Sequence, residues 1–505
     1  MNQADLTLPM RVGAIIQNEQ VLFSNGPYSN RENPADVREV VTTADEGSRE
    51  LTRSAIASAR HAFNRDIKGW VSNANLREQV LRQTAVLMRA NAKRLAAVVS
   101  LEVGMPMRQA LPHVAAAADV FDFYAGYATK IYGEAILLPN GSLVNLLREP
   151  VGVVGMVLPW NFPLTQAARK VAPAMAVGCT MVIKPASYTA ASTYELAKLL
   201  MEAGAPPGVV NFVSGPGATV GDELVENPEI DKLSFTGSTG VGRRVMQRAA
   251  VSLKRVSLEL GGKNPFVLME DADLDAAANS LVFGMFRNAG QACGATSRLL
   301  VHDKVHGKFM NKVLAKVAKL RVGSPKDTST DMGPVISRGQ EQSILKFIEN
   351  ARKDGAELLC GGHKLTTEEH AHGYFIAPTI FDKVDPASEL AKEEVFGPML
   401  AVTSFHDEDE AVQLANDSIF GLTASVFTGN QARALRLSRR IQAGTVWLGD
   451  AYTQPVQGIW GGFKQSGLGR ELGPYGVEDF VEVKQVYTDG TGLTMKPHYG
   501  QILKD

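Results

Sequence analysis

Cysteine is scarce: Cys179, Cys293 and Cys360 are the only three in 505 residues. Three thiols build no disulfide framework, and they fit a reduced, cytoplasmic setting. No Cys-x-x-Cys occurs, and the nine histidines show no metal-ligand spacing, so no metal site is expected. Net charge is close to absent, −1 at pH 7. This excludes the electrostatic footprint of a nucleic-acid binder or of a protein drawn to an anionic membrane. No apolar run reaches the roughly eighteen residues of a spanning helix. Met1 to Met10 lacks the basic-then-apolar order of a secretory signal. Tandem repeats, low-complexity tracts and a Gly-x-Gly-x-x-Gly fingerprint are also missing.

What is present is an ordinary globular composition, 45% hydrophobic and 21% charged. The chain is too long for one simple core, so two or more domains are expected. Residues 1 to about 50 are mixed, with turn signals around Asn25-Gly26-Pro27. Leu81, Ala85, Met88, Ala92, Leu95 and Val99 recur at helix spacing and predict a helical face. Two semi-apolar runs flank Pro139-Asn140-Gly141-Ser142, a hairpin signal, and Phe480–Tyr487 reads as another strand. Long hairpins of this kind often bury themselves on another subunit.

From 150 to 262 short apolar runs alternate with helix-like stretches: Val151–Leu158, Thr180–Ile183, Val209–Val213, Leu233–Phe235 and Val256–Leu260. That is the pattern of a helix-wound parallel sheet. A second alternation follows, with Phe266–Met269, Leu299–His302 and Met399–Phe405 as strands and Ala276–Arg287 and Val305–Leu320 as helices. The expected fold is α/β: a Rossmann-like cofactor domain over 1–127 and 151–262, an α/β catalytic domain over 263–474, and a β-hairpin oligomerisation arm from 128–150 and 475–505.

Several runs of the first sheet end in a distinctive turn: Pro159-Trp160-Asn161-Phe162-Pro163, Lys184-Pro185-Ala186-Ser187, Thr236-Gly237-Ser238-Thr239-Gly240 and Glu259-Leu260-Gly261-Gly262. Ligands of open α/β sheets bind beyond the carboxyl ends of the strands, where these turns fall. A glycine turn opening a helix exposes N–H groups to a pyrophosphate, although a tight strand-to-helix turn has the same look. A lone Lys184 reads equally as a solvated lysine. Cys293 lies among small residues in Gly290-Gln291-Ala292-Cys293-Gly294, where a substrate has room to approach; the other reading is a buried structural cysteine. Cys179 and Cys360 read as structural. A carboxylate ending an apolar strand, as Glu259 does, is either ion-paired or a general base.

Together these motifs resemble the aldehyde dehydrogenase superfamily from about residue 20 to about 490. The resemblance is carried by Leu158–Leu164 (LPWNFPL), Leu258–Pro265 (LELGGKNP), Gly290–Arg298 (GQACGATSR), Glu394–Pro398 (EVFGP) and Gly461–Gly473 (GGFKQSGLGRELG). It implies that Cys293 attacks the aldehyde, that Asn161 and the Cys293 N–H hold the oxyanion, and that Glu259 activates water against the resulting thioester. It assigns Lys170 and Glu471 to proton relay and site architecture. It places NAD or NADP against Trp160, Lys184, Ser187, Gly237, Ser238, Gly261, Glu394 and Phe396. Ser187 stands where NAD-preferring members often carry Glu, which leaves NADP open. Gly240, Asp450 and Ile459 also depart from the common pattern. The partners implied are a small aldehyde and further copies of the chain, as a homodimer or homotetramer.

Arg169 and Arg287 match tunnel positions that are often aromatic, and succinate-semialdehyde dehydrogenases are similar at both. Two guanidinium groups favour a substrate with a distal carboxylate or similar anion. Gln454 stands near the place of a serine those enzymes use as a third contact. The other reading of either arginine is an outward structural ion pair. A betaine or amino-aldehyde, boxed by Phe162 and Trp460, is the alternative substrate, alongside neutral aldehydes. Acyl transfer to coenzyme A is a further variant of the chemistry.

Overall fold

Five of the apolar runs do form parallel strands, and their order places the site. The computed structural model describes residues 6–24 and 26–504; Asn25 of the expected N-terminal turn, and residues 1–5, lie outside them. The strands are Val153–Val157, Thr180–Lys184, Val210–Phe212, Lys232–Thr236 and Arg255–Glu259. Numbered by chain order, they lie 3-2-1-4-5 across the sheet. The order reverses between Val153–Val157 and Lys232–Thr236, which opens a crevice at the carboxyl ends of those two strands. Thr180–Lys184 and Lys232–Thr236 are buried along their whole length, as expected of strands covered by helices on both faces.

The sheet is extended at both edges by segments the sequence pattern did not mark. Ala14–Ile16 pairs antiparallel with Val210–Phe212, and Glu19–Val21 adds outside it. At the other edge Gly467–Leu468 pairs antiparallel with Arg255–Glu259. Met10–Val12, Tyr28–Asn33 and Asp36–Asp45 make a separate three-stranded sheet.

The helical face over 81–99 belongs to two helices, Ala74–Ala90 and Ala92–Val103, and not to one. Asn91 ends the first; its Nδ2 donates to the Leu87 carbonyl at 2.9 Å, a local bond that competes with helix continuation. Leu81, Ala85, Met88, Leu95 and Val99 are still buried together in one core. Leu81, Met88, Leu95 and Val99 each stabilise the fold by about 1.5–3 kcal/mol relative to exposure, and the smaller Ala85 by less.

A second, seven-stranded sheet runs in the order Glu357–Cys360, Thr379–Asp382, Met399–Phe405, Arg298–His302, Pro265–Leu268, Thr423–Phe427 and Thr445–Leu448. Its helices include Leu274–Phe286 and His306–Val317. The hairpin signal at 139–142 joins Glu134–Leu137 to Leu143–Pro150, and Val481–Thr488 pairs along the full length of the latter strand. Cys179 is buried, as expected; Cys360 is half-buried at an edge strand. Among the described residues no helix is long and apolar enough to cross a membrane.

Candidate active site

Cys293 stands on a turn between the helix Leu274–Phe286 and the strand Arg298–His302. The turn is held by amides. Asn264 Nδ2 donates to the carbonyls of Cys293 at 2.7 Å and Ala295 at 2.9 Å, and its Oδ1 accepts from Thr423 N–H at 3.0 Å. Asn288 and Ala289 take left-handed backbone conformations (φ 52° and 55°), a cost tolerated where neighbours over-determine the loop. Asn288 Nδ2 donates to the Asn161 carbonyl at 3.0 Å. Asn264 and Asn288 lie inside or beside the motifs yet carry no signal of their own; a polar residue beside a glycine turn was the only hint.

Asn161 ends the first parallel strand's turn and is buried. One N–H of its amide goes to the Gln291 carbonyl at 3.1 Å; an amide carries two, so one remains for a substrate oxygen. Gly294 is required by close approach: a Cβ there would meet Trp460 at 2.9 Å. The thiol is pushed up to about 12, first by burial and then by the negative field of Glu394, with Glu259 adding to it and Arg169 opposing.

Glu259 is buried at the end of its strand, and its Oε2 has no hydrogen-bond partner among the described residues. Burial, then Glu471, holds its carboxyl well above the usual range, against Lys170, Arg169 and Arg470. Lys170 Nζ bonds Glu471 Oε1 at 2.5 Å and Ser234 Oγ at 3.1 Å. Glu471 is fixed in turn by a two-way backbone bridge to Trp460, 2.7 Å in each direction. A protonatable carboxyl beside a buried ion pair is suited to general base work.

The helix Pro163–Val177 starts with proline at its first position, ends at Gly178 (φ +108°), and carries Arg169 and Lys170 side by side. Arg169 is half-buried; its Nη2 donates to Gln454 Oε1 at 3.0 Å, and its guanidinium lies 5.3 Å from the Trp460 ring centre. Arg287 lies over Phe162 at 5.0 Å and Tyr452 at 4.9 Å. Neither arginine has an acidic partner at ion-pair distance among the described residues. The outward ion pair is therefore not what the structure contains. Both guanidinium groups reach the same place electrically: they join burial in pulling the His113 imidazole down to about 3. His113, Tyr452 and their part in this wall were not anticipated from sequence.

The crevice holds a cleft of about 430 Å³ that reaches Cys293 and is lined by Trp160, Asn161, Gly237, Ser238 and Gly261. Glu394 and Phe396 close its far wall, with Phe396 packed edge-on against Trp160 at 5.2 Å. A lobe of about 610 Å³ shares Val157, Phe235 and Val241 with it and runs past Lys184. Three features suit a dinucleotide. Lys184 is buried with, among the described residues, only the Pro185 carbonyl for its ammonium, at 3.0 Å, and burial lowers it to about 8. Ser238, on the cleft wall, precedes the helix Thr239–Ala249 and makes no side-chain cap, which leaves the first N–H groups of the helix for an anion. A Cβ at Gly261 would meet Glu394 Oε2 at 2.2 Å, and Glu394 Oε1 accepts from Gly262 N–H at 3.0 Å. Burial raises that carboxyl to about 7. Ser187 is exposed beside Ala186, which lines the cleft. Among the described residues no group of three His, Cys, Asp or Glu could hold a metal.

A dinucleotide cleft that ends on a thiol, with a buried carboxyl behind it, defines a dehydrogenase of the covalent type. The chain belongs to the aldehyde dehydrogenase family, matching it over residues 24–486. It is 40% identical to the betaine aldehyde dehydrogenase of Bacillus subtilis (strain 168), over 93% of this chain and 97% of that protein. The NAD-dependent aldehyde dehydrogenase of Sinorhizobium meliloti superposes with a TM-score of 0.94 at 39% identity, covering 97% of both chains. The betaine aldehyde dehydrogenase of Staphylococcus aureus, solved with NAD+, gives 0.93 at 36% identity over 96% of both chains. The α/β fold and the activity class, NAD(P)-dependent oxidation of an aldehyde, follow from that membership.

Proposed function

We propose that the enzyme oxidises an aldehyde carrying a distal carboxylate, or a similar anion, to the corresponding acid. The observation that carries this reading is the pair Arg169 and Arg287, half-buried around the aromatic wall of the nucleophile's pocket with no carboxylate partner among the described residues. In this reading the Cys293 thiol gives up its proton to solvent, its sulfur adds to the aldehyde carbon, and the free N–H of Asn161 and the Cys293 N–H hold the oxyanion of the thiohemiacetal. Glu394 and Lys184 hold the two ribose ends of the dinucleotide, and the Gly237-Ser238 turn faces its pyrophosphate. Bound there, the nicotinamide supplies the hydride acceptor. Cys293 is then left as a thioester, and Glu259 takes a proton from the water that releases the acid. Lys170 and Glu471 fix the carboxyl's field. Ser187, with no negative charge to oppose a 2′-phosphate, supports use of NADP besides NAD.

Betaine aldehyde is the second reading. It is supported by the names of the relatives, which point to it more directly than to a semialdehyde. Against it stands the same wall: the faces of Phe162, Tyr452 and Trp460 that would receive an ammonium already carry guanidinium groups. A panel of ω-carboxy, neutral and cationic aldehydes, each with both cofactors, separates the readings. Arg169→Ala is expected to cost about 1.5–3 kcal/mol, roughly 10- to 150-fold, in kcat/KM for succinate semialdehyde. A change within about twofold would sink the anion clamp.

The three-stranded sheet of Glu134–Leu137, Leu143–Pro150 and Val481–Thr488 is the proposed bridging arm of a homodimer or homotetramer. Leu137 and Val483 stand 74% and 60% exposed on it, more apolar surface than an arm in water would keep. Leu137→Asp with Val483→Asp should shift the sedimentation velocity profile to smaller species; an unchanged profile would remove the arm from the interface.

A further inference from the structure

A second cavity, of about 450 Å³, opens on the outer side of the helix Leu274–Phe286. Its floor is apolar, from Phe286, Leu320 and Met332, with Phe283 exposed at its edge. Its rim carries Arg108, Arg287, Lys316 and Lys319 against a single carboxylate, Asp331. Arg108 is paired with that carboxylate. Lys319 and Arg287 have no ion-pair partner among the described residues. Lys316 meets Asp275 only through space, since Asp275 is bonded to Lys312 at 2.8 Å. An apolar floor under three uncompensated cations is complementary to an amphipathic anion.

The cavity is joined to the nucleophile's pocket by shared residues. Arg287 lines the outer cavity and lies 5.7 Å from Phe283, while its other contacts are Phe162 and Tyr452 on the pocket side. Gln109, also on the cavity wall, donates from Nε2 to the Asp331 carbonyl at 2.8 Å and accepts at Oε1 from Asn288 N–H at 3.0 Å. Asn288 in turn holds the Asn161 carbonyl at 3.0 Å.

We propose that this outer cavity is a second binding site, taking a small amphipathic carboxylate whose head group lies between Arg287, Lys316 and Lys319. An occupant draws the Arg287 guanidinium outward, away from Phe162 and Tyr452. Oxidation of an anionic aldehyde then slows, because one of its two guanidinium contacts is engaged elsewhere; oxidation of a neutral aldehyde does not. The existence of the site stands on the cavity alone. Only its effect on anionic aldehydes rests on the substrate reading proposed above.

Hexanoate is a suitable probe. Calorimetric titration of the full chain should show binding that Lys316→Gln/Lys319→Gln weakens about fivefold or more, with kcat/KM for propanal unchanged as the check on folding. Binding that weakens steeply with added salt is expected as well. In steady state, hexanoate should raise KM for succinate semialdehyde in the wild type and do so only weakly in the double variant. Arg169→Ala, which lies on the pocket side alone, should leave the titration as it was. Equal hexanoate affinity in wild type and double variant would overturn the proposal, and so would no heat at tens of millimolar probe. A neutral result for Arg169→Ala on succinate semialdehyde, with the hexanoate titration still sensitive to Lys316 and Lys319, would overturn the substrate reading and leave this site standing.

Discussion

Cys293→Ser lowers kcat for aldehyde oxidation by about a thousandfold or more, in the range set by loss of an acting nucleophile. The reason lies in proton chemistry as much as in sulfur. Burial pushes the Cys293 thiol up to about 12, a shift that favours the thiol over the thiolate at neutral pH. A serine hydroxyl in the same field is harder still to ionise, so far less of the attacking anion is present. The thiol's position predicts its own reactivity. Alkylation of the free enzyme by iodoacetamide should rise about tenfold per pH unit from 7 to 10, following the thiolate fraction. The sign follows from the direction of the shift: a raised pKa moves the ionised form to higher pH. A plateau below about pH 8 would show a resting thiolate. Full turnover in Cys293→Ser, with the variant still binding the dinucleotide, would remove covalent catalysis altogether.

The parallel strands were legible because each is a short, largely buried run with an apolar centre that ends in a turn. Their ends were legible because polar residues there interrupt a hydrophobic pattern; Asn161 and Glu259 stand out for that reason. Ala14–Ile16 and Gly467–Leu468 were not, since strands of two or three residues have no periodicity to read and owe their conformation to the sheet edge they meet. The break at Asn91 escaped for the opposite reason: the apolar spacing continues across it, because both helices bury the same side. In the site, sequence named the groups that react and missed those that hold them. Asn264 and Asn288 act through hydrogen bonds from their side-chain amides to carbonyls far away in the chain, and no spacing rule reaches such pairs. Arg169 and Arg287 were visible as charges in an unusual place. That their guanidinium groups lie on aromatic faces and not against carboxylates is a tertiary fact.

Glu259→Gln should separate the two halves of the reaction. Addition to the aldehyde needs the Cys293 thiolate and the oxyanion donors of Asn161 and Cys293, and none of these is removed. Release of the acid needs a water made nucleophilic, and Glu259 is the carboxyl whose environment suits that task. Burial first, and then Glu471, raises it well above the ordinary carboxylate range, while Lys170, Arg169 and Arg470 oppose them. A base in that position is protonated in acid and gains activity as pH rises through its pKa, so kcat of the wild type should show a rising limb. In the amide variant that limb disappears. Its first turnover should yield a burst of one reduced dinucleotide per site, followed by a steady state about 10²- to 10⁴-fold slower as the thioester accumulates. Added thiol should discharge the trapped acyl group, and coenzyme A is the informative choice. If the wild type itself yields acyl-CoA in preference to free acid, water is not the natural acceptor and the role given to Glu259 is wrong. If Glu259→Gln turns over at the wild-type rate without a burst, the carboxyl is structural. The acid released then owes its water to another group, and Glu471, whose Oε2 is also buried without a partner among the described residues, is the next carboxyl to test.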